Sequence, residues 1–432
     1  MSGRPTAAWV RAGLALALVA GALLLCACTG NHDGATVVRF WTIGHEGEVV
    51  QPLLREFERD HPGIRIELQQ LPQSAAHAKL LTAFAGDALP DVAQLGNTWL
   101  AEFDALGALA PLQQRVAASR VVDRADYFAG AWDGNRLGTN LVGVPWYVDT
   151  RLLFYRKDLL AAAGFAAPPR DWDEWRRQMA AIVAQGGEGR YAILLPLNEY
   201  EPLLNLAVQQ ADPLLIDDGS RGNFASPGFR AAFDFYLAMF RNGWAPPMSE
   251  TQLSSVPQEF ANGLFAFYIS GPWNVAQFQQ RLPAALQDAW GTAPLPGPRG
   301  PGAAIGGGSS LVLFAGSTRQ QAAWQLVEFL SRPEVQVRFH ALSGDLPPRR
   351  SAWEAPSLRE DRYAQAFRDQ LERVVPAPKV PEWERIAQQM RLAAERVVRG
   401  GQDEAAALAQ LDAEADAILA KRRWLLAREA GQ

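Results

Sequence analysis

The sequence predicts an α/β protein that folds as two domains. Its 432 residues exceed the size of one ordinary domain, and 48% of them are apolar, which is enough for two hydrophobic cores. Short apolar strands alternate with amphipathic helices over the first part of the chain. This alternation is typical of a largely parallel sheet.

The N-terminal region contains three predicted strands with helices between them. Residues 37–41 are rich in β-forming side chains, and apolar residues in the segment 49–57 recur at helical spacing. The sequence His61-Pro62-Gly63 ends that helix, and residues 64–68 then alternate between apolar and polar side chains. Residues 90–95 resemble a third strand after a second helix. The order βαβαβ predicts a parallel sheet.

The remainder of the chain predicts a second α/β unit. The apolar strand 152–155 begins it, and Asp171 is placed to cap a helix that follows Pro168-Pro169. Residues 291–308 are dense in Gly and Pro, which indicates a long connection rich in turns. A buried strand at 311–314 and an amphipathic helix at 320–330 follow. Residues 382–427 are predicted to be mostly helical.

The first residues match the plan of a secretory signal. Arg4 and Arg11 precede an apolar run, residues 14–25, that is too short to span a bilayer. The run ends in Leu25-Cys26-Ala27-Cys28-Thr29-Gly30, which resembles a bacterial lipobox. We therefore expect a signal peptide at 1–27, lipidation of Cys28 and a polar tether at 28–36. An ordinary cleaved signal and a Cys26–Cys28 disulfide are the alternatives.

Composition excludes several classes of function. After cleavage before Cys28 the chain has no other cysteine, so disulfides, zinc-thiolate sites and a thiol nucleophile are ruled out. The net charge of −5 and the absence of a long Lys/Arg run argue against nucleic-acid binding. The five histidines lack metal-ligand spacing. Residues 306–310 are Gly-rich, but no Lys follows them as in a phosphate loop. We expect no metal and no cofactor.

Several motifs occur in an order that resembles the family of extracellular solute-binding proteins (family 1) that serve carbohydrate ABC importers. The resemblance spans about residues 37–400. The motifs are Phe40-Trp41-Thr42, Ala83-Phe84-Ala85-Gly86-Asp87, Pro90-Asp91-Val92, Gly107-Ala108-Leu109, Gly143-Val144-Pro145, Leu153-Phe154-Tyr155-Arg156-Lys157-Asp158-Leu159, Trp172-Asp173-Glu174-Trp175, Gly263-Leu264-Phe265-Ala266-Phe267, Gly271-Pro272-Trp273, Ser331-Arg332-Pro333-Glu334-Val335-Gln336 and Leu346-Pro347-Pro348-Arg349.

The resemblance implies a two-lobed periplasmic-binding-protein fold, with hinge strands that cross between the lobes. Residues 37–143 and 308–341 would form lobe 1, and residues 144–307 and 342–432 would form lobe 2. Tyr147-Val148-Asp149 and the strand after it are most similar to trehalose and maltose binders. The implied protein is monomeric, is anchored in the periplasm or at the cell surface, and delivers a small oligosaccharide to the permease subunits of an ABC importer.

The family pattern also implies a set of binding residues. Sugars present hydroxyls and weakly apolar C–H faces, so their sites combine aromatic rings with carboxylates, amides and Arg. Trp41 and Glu259 are further candidates beside the positions that match the pattern. The expected ligand-binding residues are Trp41, Glu46, Gln94, Asn97, Tyr147, Asp149, Glu259, Gly271, Trp273 and Arg349.

Each candidate also has a purely structural explanation. Most of the 14 tryptophans would ordinarily serve the core, but Trp273 follows a turn after an apolar strand and is expected to face a cleft. Glu46 and Asp149 could be solvated surface acids. The rival function is a secreted glycosidase, because such an enzyme also needs a cleft, aromatics and paired acids. A structural surface lipoprotein is a third class, and we expect a binding protein, not an enzyme.

Overall fold

The structure is a computed structural model, and it describes residues 34–430. The predicted signal peptide 1–27, the predicted lipidation site Cys28 and residues 29–33 of the predicted tether lie outside the described residues. Within 34–430, no helix combines the length and the apolarity that crossing a bilayer requires.

Strands occur throughout the described chain, and many of them are only two residues long. In chain order they are β1 (Thr36–Ile43), β2 (Ile64–Leu71), β3 (Val92–Gly96), β4 (Arg136–Leu137), β5 (Asn140–Leu141), β6 (Val144–Tyr147), β7 (Leu152–Arg156), β8 (Tyr191–Leu194), β9 (Leu215–Ile216), β10 (Arg221–Gly222), β11 (Phe265–Ser270), β12 (Trp290–Ala293), β13 (Pro296–Gly297), β14 (Gly300–Pro301), β15 (Ala304–Ile305), β16 (Ser309–Leu313) and β17 (Val374–Val375).

Helices cover the sheets and make up most of the C-terminal region, as the sequence predicts. They are α1 (Glu46–Val49), α2 (Gln51–Asp60), α3 (Ala76–Ala85), α4 (Leu100–Ala105), α5 (Gln113–Ala118), α6 (Ala129–Asp133), α7 (Lys157–Ala162), α8 (Trp172–Gly186), α9 (Glu201–Ala207), α10 (Pro227–Arg241), α11 (Val256–Asn262), α12 (Trp273–Arg281), α13 (Gln320–Leu330), α14 (Pro333–Ser343), α15 (Pro356–Arg359), α16 (Ala364–Leu371), α17 (Trp383–Val398), α18 (Glu404–Ile418) and α19 (Ala420–Ala430).

The first sheet has the order β2-β1-β3-β16-β6. Strand β1 is parallel to both β2 and β3, which confirms the predicted βαβαβ arrangement. Strand β16 returns from far along the chain and pairs antiparallel with both β3 and β6. The sheet is packed on a core that includes Phe40, Trp146 and Phe329.

The second sheet has the order β12-β7-β11-β8. Strand β7 lies antiparallel to β11 and β12, and β11 is parallel to β8. Helix α8 covers this sheet and begins at the predicted cap, where the Asp171 carboxylate accepts a hydrogen bond from the backbone N–H of Glu174 at 2.8 Å. Trp175 and Phe235 belong to the core on this side. Two sheets with separate cores confirm the two-lobed α/β fold.

The chain crosses between the two sheets at three places that lie side by side. The first sheet includes β6, so it extends four residues past the predicted boundary at 143/144. The first of the three crossings therefore occurs in residues 148–151. The backbone N–H of Val148 donates to the carbonyl of Leu346 at 2.9 Å, and the N–H of Gly307 donates to the carbonyl of Asp149 at 2.9 Å. The crossing segments therefore bind one another, as hinge strands must.

Candidate functional site

A cavity of about 410 Å³ opens where the two sheets meet. It is lined by four of the predicted binding residues, Gln94, Asn97, Tyr147 and Asp149. Gln94 lies in the middle of β3, Asn97 directly follows that strand, and Tyr147 ends β6. Ligands of open α/β sheets bind at the carboxyl ends of strands, which explains why these side chains converge. We call this space the first cavity.

The polar side chains of the first cavity hold one another in place. Gln94 accepts a hydrogen bond from the backbone N–H of Ile43 at 2.8 Å and donates to the Tyr147 hydroxyl at 3.1 Å. The Ser309 hydroxyl donates to the same Tyr147 oxygen at 3.1 Å. Asn97 donates to the carbonyl of Gly307 at 3.0 Å. Because these groups are already bonded, their positions are fixed before any ligand arrives.

The carboxylates around Tyr147 are poorly solvated. Burial raises the pKa of Glu46, although hydrogen bonds from Tyr147 and Gln94 act in the opposite direction. Burial, with the nearby charge of Glu46 next in size, raises the pKa of Asp345 to about 8. Burial also raises the pKa of Asp149. A buried carboxyl group with a raised pKa keeps its proton to higher pH, and in that form it can donate as well as accept a hydrogen bond.

A second cavity of about 400 Å³ adjoins the first, and Arg151 and Glu201 line both of them. It contains Trp273, whose side chain is 43% exposed, as expected for a ring that faces a cleft. The ring packs over Gly271, where a Cβ atom would collide with it. The glycine is therefore required for this position of the tryptophan. Trp273 thus lies in the cleft, but not in the first cavity, and Gly271 lies against its ring without lining either cavity.

Sequence patterns do not single out Arg151, Glu199, Glu201 or Glu250, although all four line the second cavity. Burial, and then a hydrogen bond shared with Glu250, raise the pKa of Glu199 to about 8. The segment Glu199-Tyr200-Glu201 follows the carboxyl end of β8. Its position at that end was the signal that could have identified it.

Three aromatic residues of the first cavity are also absent from the predicted set: Trp99, Tyr200 and Trp383. The Tyr200 hydroxyl donates to the Glu384 carboxylate at 3.3 Å, and the Trp99 ring lies 4.9 Å from the ring of His77. Such rings offer flat faces to the C–H side of a sugar. Trp99 follows β3 directly, so its position could have been inferred, whereas Trp383 has no comparable local signal.

Five of the ten predicted binding residues are absent from the linings of both cavities. Glu46 adjoins the first cavity through Tyr147 and Gln94, and Gly271 lies against the Trp273 ring. The other three are Trp41, Glu259 and Arg349.

Trp41 is 8% exposed and packs into the core of the first sheet. Glu259 lies on α11, where its carboxylate accepts a hydrogen bond from the Ser254 hydroxyl at 2.9 Å. The part of both residues in ligand binding stays a prediction.

Arg349 also lies outside the linings of both cavities. Its guanidinium is 7% exposed and donates to Asp126 at 2.6 Å and to the carbonyls of Val121 and Ser331 at 2.9 and 2.7 Å. Through these hydrogen bonds the guanidinium joins the segment after α14 to the first lobe. These contacts hold the arginine in place, and its part in ligand binding stays a prediction.

No group of three or more His, Cys, Asp or Glu side chains suited to a metal ion occurs among residues 34–430. The acids of the two cavities are instead arranged around Tyr147 and Arg151. Such an arrangement recognises a neutral polar ligand through hydrogen bonds.

A family model for bacterial extracellular solute-binding proteins matches residues 43–337. The sugar-binding protein MalE from the phytopathogen Xanthomonas citri is 58% identical; the match covers 90% of this chain and 99% of that one, with a TM-score of 0.89. An uncharacterized lipoprotein of Streptomyces antibioticus is 29% identical over 87% of this chain and 86% of its own length. The diacetylchitobiose-binding protein DasA of Streptomyces coelicolor is 25% identical over 77% of this chain and 76% of its own length.

These similarities decide between the function classes that composition left open. The matched family, the Xanthomonas citri MalE and DasA are all binding proteins, so the prediction that the chain is not an enzyme is confirmed and the glycosidase alternative is set aside. The chain belongs to the family of bacterial extracellular solute-binding proteins, in agreement with the resemblance of its motifs.

Proposed function

We propose that this protein binds a small α-linked oligosaccharide of the maltose or trehalose type and delivers it to an ABC importer. The observation that carries the proposal is the bonded polar wall formed by Gln94, Tyr147 and Ser309 beside the exposed ring of Trp273. The wall matches sugar hydroxyls, and the ring matches a C–H face. The 58% identity to a sugar-binding MalE supports the same ligand class.

The two lobes allow ligand binding to change the conformation of the protein. We place lobe 1 at residues 37–147 and 308–343 and lobe 2 at the rest of the fold, with the three crossing segments as the hinge. A sugar that contacts both lobes binds the closed form more tightly and shifts the population toward it. The closed form is then the shape that the permease subunits recognise. An affinity near micromolar, about 8 kcal/mol, is sufficient.

We further propose that the mature protein is a monomer held at the membrane by lipid on Cys28. The lipobox resemblance and the lipoprotein of Streptomyces antibioticus support this. Cys28→Ser should release the protein or leave its signal uncleaved, because the thioether needs that sulfur, while Cys26→Ser should leave the anchor intact. Labelling with a fatty-acid analogue measures both. A Cys28→Ser protein that is cleaved and still membrane-bound would contradict the assignment.

The proposed ligand class is tested by a thermal-shift screen followed by calorimetric titration of the hits. Maltose, maltotriose and trehalose should raise the melting temperature, with dissociation constants near micromolar. Diacetylchitobiose, the ligand in the name of one relative, serves as the β-linked comparison. Binding of diacetylchitobiose alone would overturn the α-glucoside proposal, and release of glucose at enzymatic rates would overturn the binding function itself.

A further inference from the structure

Helix α19 carries two large apolar side chains that the fold leaves in contact with solvent. Trp424 is 55% exposed and Leu425 is 43% exposed, and they are neighbours in the chain. The other exposed large apolar residues among residues 34–430 occur singly, and they are Val37, Leu106, Ile216, Trp273 and Leu342. A single exposed apolar side chain is common on protein surfaces, whereas a group of them marks an interaction site. The pair therefore requires an explanation beyond the packing of this chain.

The helical spacing places two cations on the same face as this pair. The positions i, i+3, i+4 and i+7 of one helix face are occupied by Lys421, Trp424, Leu425 and Arg428, and all four residues are exposed. The guanidinium carbon of Arg428 lies 4.7 Å from the centroid of the Trp424 ring. An apolar centre is thus flanked by one positive charge a turn before it and by another a turn after it. We call these four residues the α19 face.

The opposite side of α19 attaches the helix to the second lobe. Arg422 donates a hydrogen bond to the carbonyl of Asp218 at 3.1 Å. Arg423 donates to the carbonyls of Ser220 and Asp416 at 2.8 and 2.6 Å. These guanidinium groups fix the rotation of the helix about its axis, because both reach backbone atoms of the fold. The α19 face is therefore held outward, toward solvent.

The charge of α19 is opposite in sign to that of the whole protein. The helix has four basic residues and one acidic residue, a net charge of +3, whereas the whole chain carries −5. The preceding helix, α18, has four acidic residues and no basic ones. The positive charge is thus local to α19, and it is complementary to an anionic partner.

Phospholipid headgroups match the α19 face in both of its properties. At a membrane surface a tryptophan ring lies at the level of the headgroups, a leucine enters the boundary of the acyl chains, and long Lys and Arg side chains reach the phosphates. A partner that offered negative charge alone would pair with the two cations but leave Trp424 and Leu425 in water. The combination on this face favours a lipid surface.

We infer that the α19 face docks the second lobe on a membrane surface that contains anionic phospholipids. The inference goes beyond the proposed function, and it depends neither on the sugar nor on the lipid at Cys28. Only two apolar side chains and two cations take part, so the contact is weak and reversible. It orients a protein that is already close to the membrane and does not anchor it.

The test is co-sedimentation with lipid vesicles of the chain 29–432, which contains all of the described fold and carries no lipid. Vesicles of equal parts phosphatidylethanolamine and phosphatidylglycerol should bind it at least about fivefold more strongly than vesicles of phosphatidylcholine. Added salt should weaken the binding, because it screens the charges. The double variant Lys421→Gln, Arg428→Gln should lower the partition coefficient on the anionic vesicles at least about tenfold.

The apolar pair is tested on the same anionic vesicles. Trp424→Ala should lower the partition coefficient about tenfold and Leu425→Ala about fivefold, because each variant loses apolar surface that the membrane would bury. Leu106→Ala is the matched control for Leu425→Ala, since Leu106 is 41% exposed and lies outside α19. Its partition coefficient should stay within about twofold of the wild type.

The charges have a matched control on helix α2. Arg55 and Arg59 are exposed and lie four residues apart, so Arg55→Gln, Arg59→Gln removes two positive charges from a face that has no exposed apolar pair. An equal loss of binding in this control overturns the inference, and so does a wild-type protein that binds no anionic vesicle. A wild-type dimer that Trp424→Ala converts to a monomer in sedimentation velocity also overturns it, because the face would then join two copies. Melting curves show that each variant is folded, and Leu425→Ala decides the matter if Trp424→Ala is not.

Discussion

The two cavities of the cleft differ in the kinds of side chains that line them. In the first cavity the polar side chains come from β3, β6 and β16, which are neighbouring strands of one sheet, and they bond to one another. In the second cavity Glu199, Glu201 and Glu250 share the lining with two arginines, Arg151 and Arg281. One region is fixed before the ligand arrives, and the other is held by charges that a ligand can rearrange. The difference shows that a single cleft can combine a rigid recognition wall with an adjustable end.

The largest effect that tests this contrast is loss of the exposed ring in the second cavity. Trp273→Ala should weaken maltotriose binding at least about tenfold, because a stacked aromatic contributes about 1 to 3 kcal/mol. Maltose, which the proposed function also places against this ring, should bind more weakly as well. The melting temperature of the unliganded protein should change little, since the ring is 43% exposed. Titration of both sugars measures the first two effects.

Phe329→Ala is the matched control for that variant. Phe329 is fully buried in the core of the first lobe, and its truncation should lower the free energy of unfolding by about 3 to 5 kcal/mol. If Trp273→Ala destabilises the protein as much as Phe329→Ala does, the ring belongs to the packing of the lobe. The distinction between the cavities would then be lost.

A smaller effect tests the rigidity of the first cavity. Gln94→Leu should lower the free energy of unfolding by about 1 to 3 kcal/mol, because the buried N–H of Ile43 loses its acceptor. It should also weaken the binding of maltose and maltotriose alike. Ser309→Ala is the milder comparison, since Tyr147 keeps its bond from Gln94. Urea unfolding gives the stabilities, and a Gln94→Leu protein as stable as wild type would show that the wall is not held by these bonds.

The smallest effect concerns the charges of the second cavity. The pKa of Glu199 is about 8 in the folded protein against an ordinary value of 4.5, so the folded state holds the extra proton between these values. Its contribution to stability is therefore full below pH 4.5 and is lost as the pH rises through 8. Glu199→Gln removes this loss, and relative to wild type the variant should gain about 1 kcal/mol across the window, because solvent screens the carboxylates of an open cavity.

Urea unfolding of wild type and Glu199→Gln at several pH values from 5 to 9 measures that difference. Asp345 also has a pKa of about 8, so it contributes to the pH dependence of both proteins and cancels in the comparison. Parallel stability curves for the two proteins would mean that the acids of the second cavity are as well accommodated as the groups of the first. The contrast between the cavities would then be wrong in its electrostatic part.

Much of the fold follows from short-range patterns in the sequence. Arg65 and Glu67 are exposed on β2, while Ile64 and Ile66 on its other face are half-buried, as the alternation predicts. Asp171 caps its helix because a side-chain oxygen at that position reaches an N–H three residues on. Such features depend on a few consecutive residues. They can be predicted because the physics that fixes them is local.

The site is only partly predictable, because distant segments assemble it. Tyr200 binds Glu384 across 184 positions, and Arg349 binds Asp126 across 223. Family motifs locate Gln94 on β3, Tyr147 at the end of β6 and Asp149 shortly after it. They do not indicate whether an arginine pairs with a carboxylate of the fold or stays available to a ligand. Only the three-dimensional contacts therefore show that Arg151 lines both cavities, whereas Arg349 pairs with Asp126.

The antiparallel strand β16 has a consequence for how the molecule is made. Its residues are synthesised long after β3, yet it lies between β3 and β6, and Gln94 on β3 contacts Ser309 across 215 positions. During translation the first sheet therefore lacks the strand between β3 and β6 until almost three quarters of the chain has been synthesised. Contacts of such long range slow folding, and unpaired strand edges are prone to aggregate. The first lobe therefore cannot complete its sheet until much of the second lobe has been synthesised. A chain that stops before Ser309 lacks β16, so its first lobe is incomplete and does not amount to half of a binding protein.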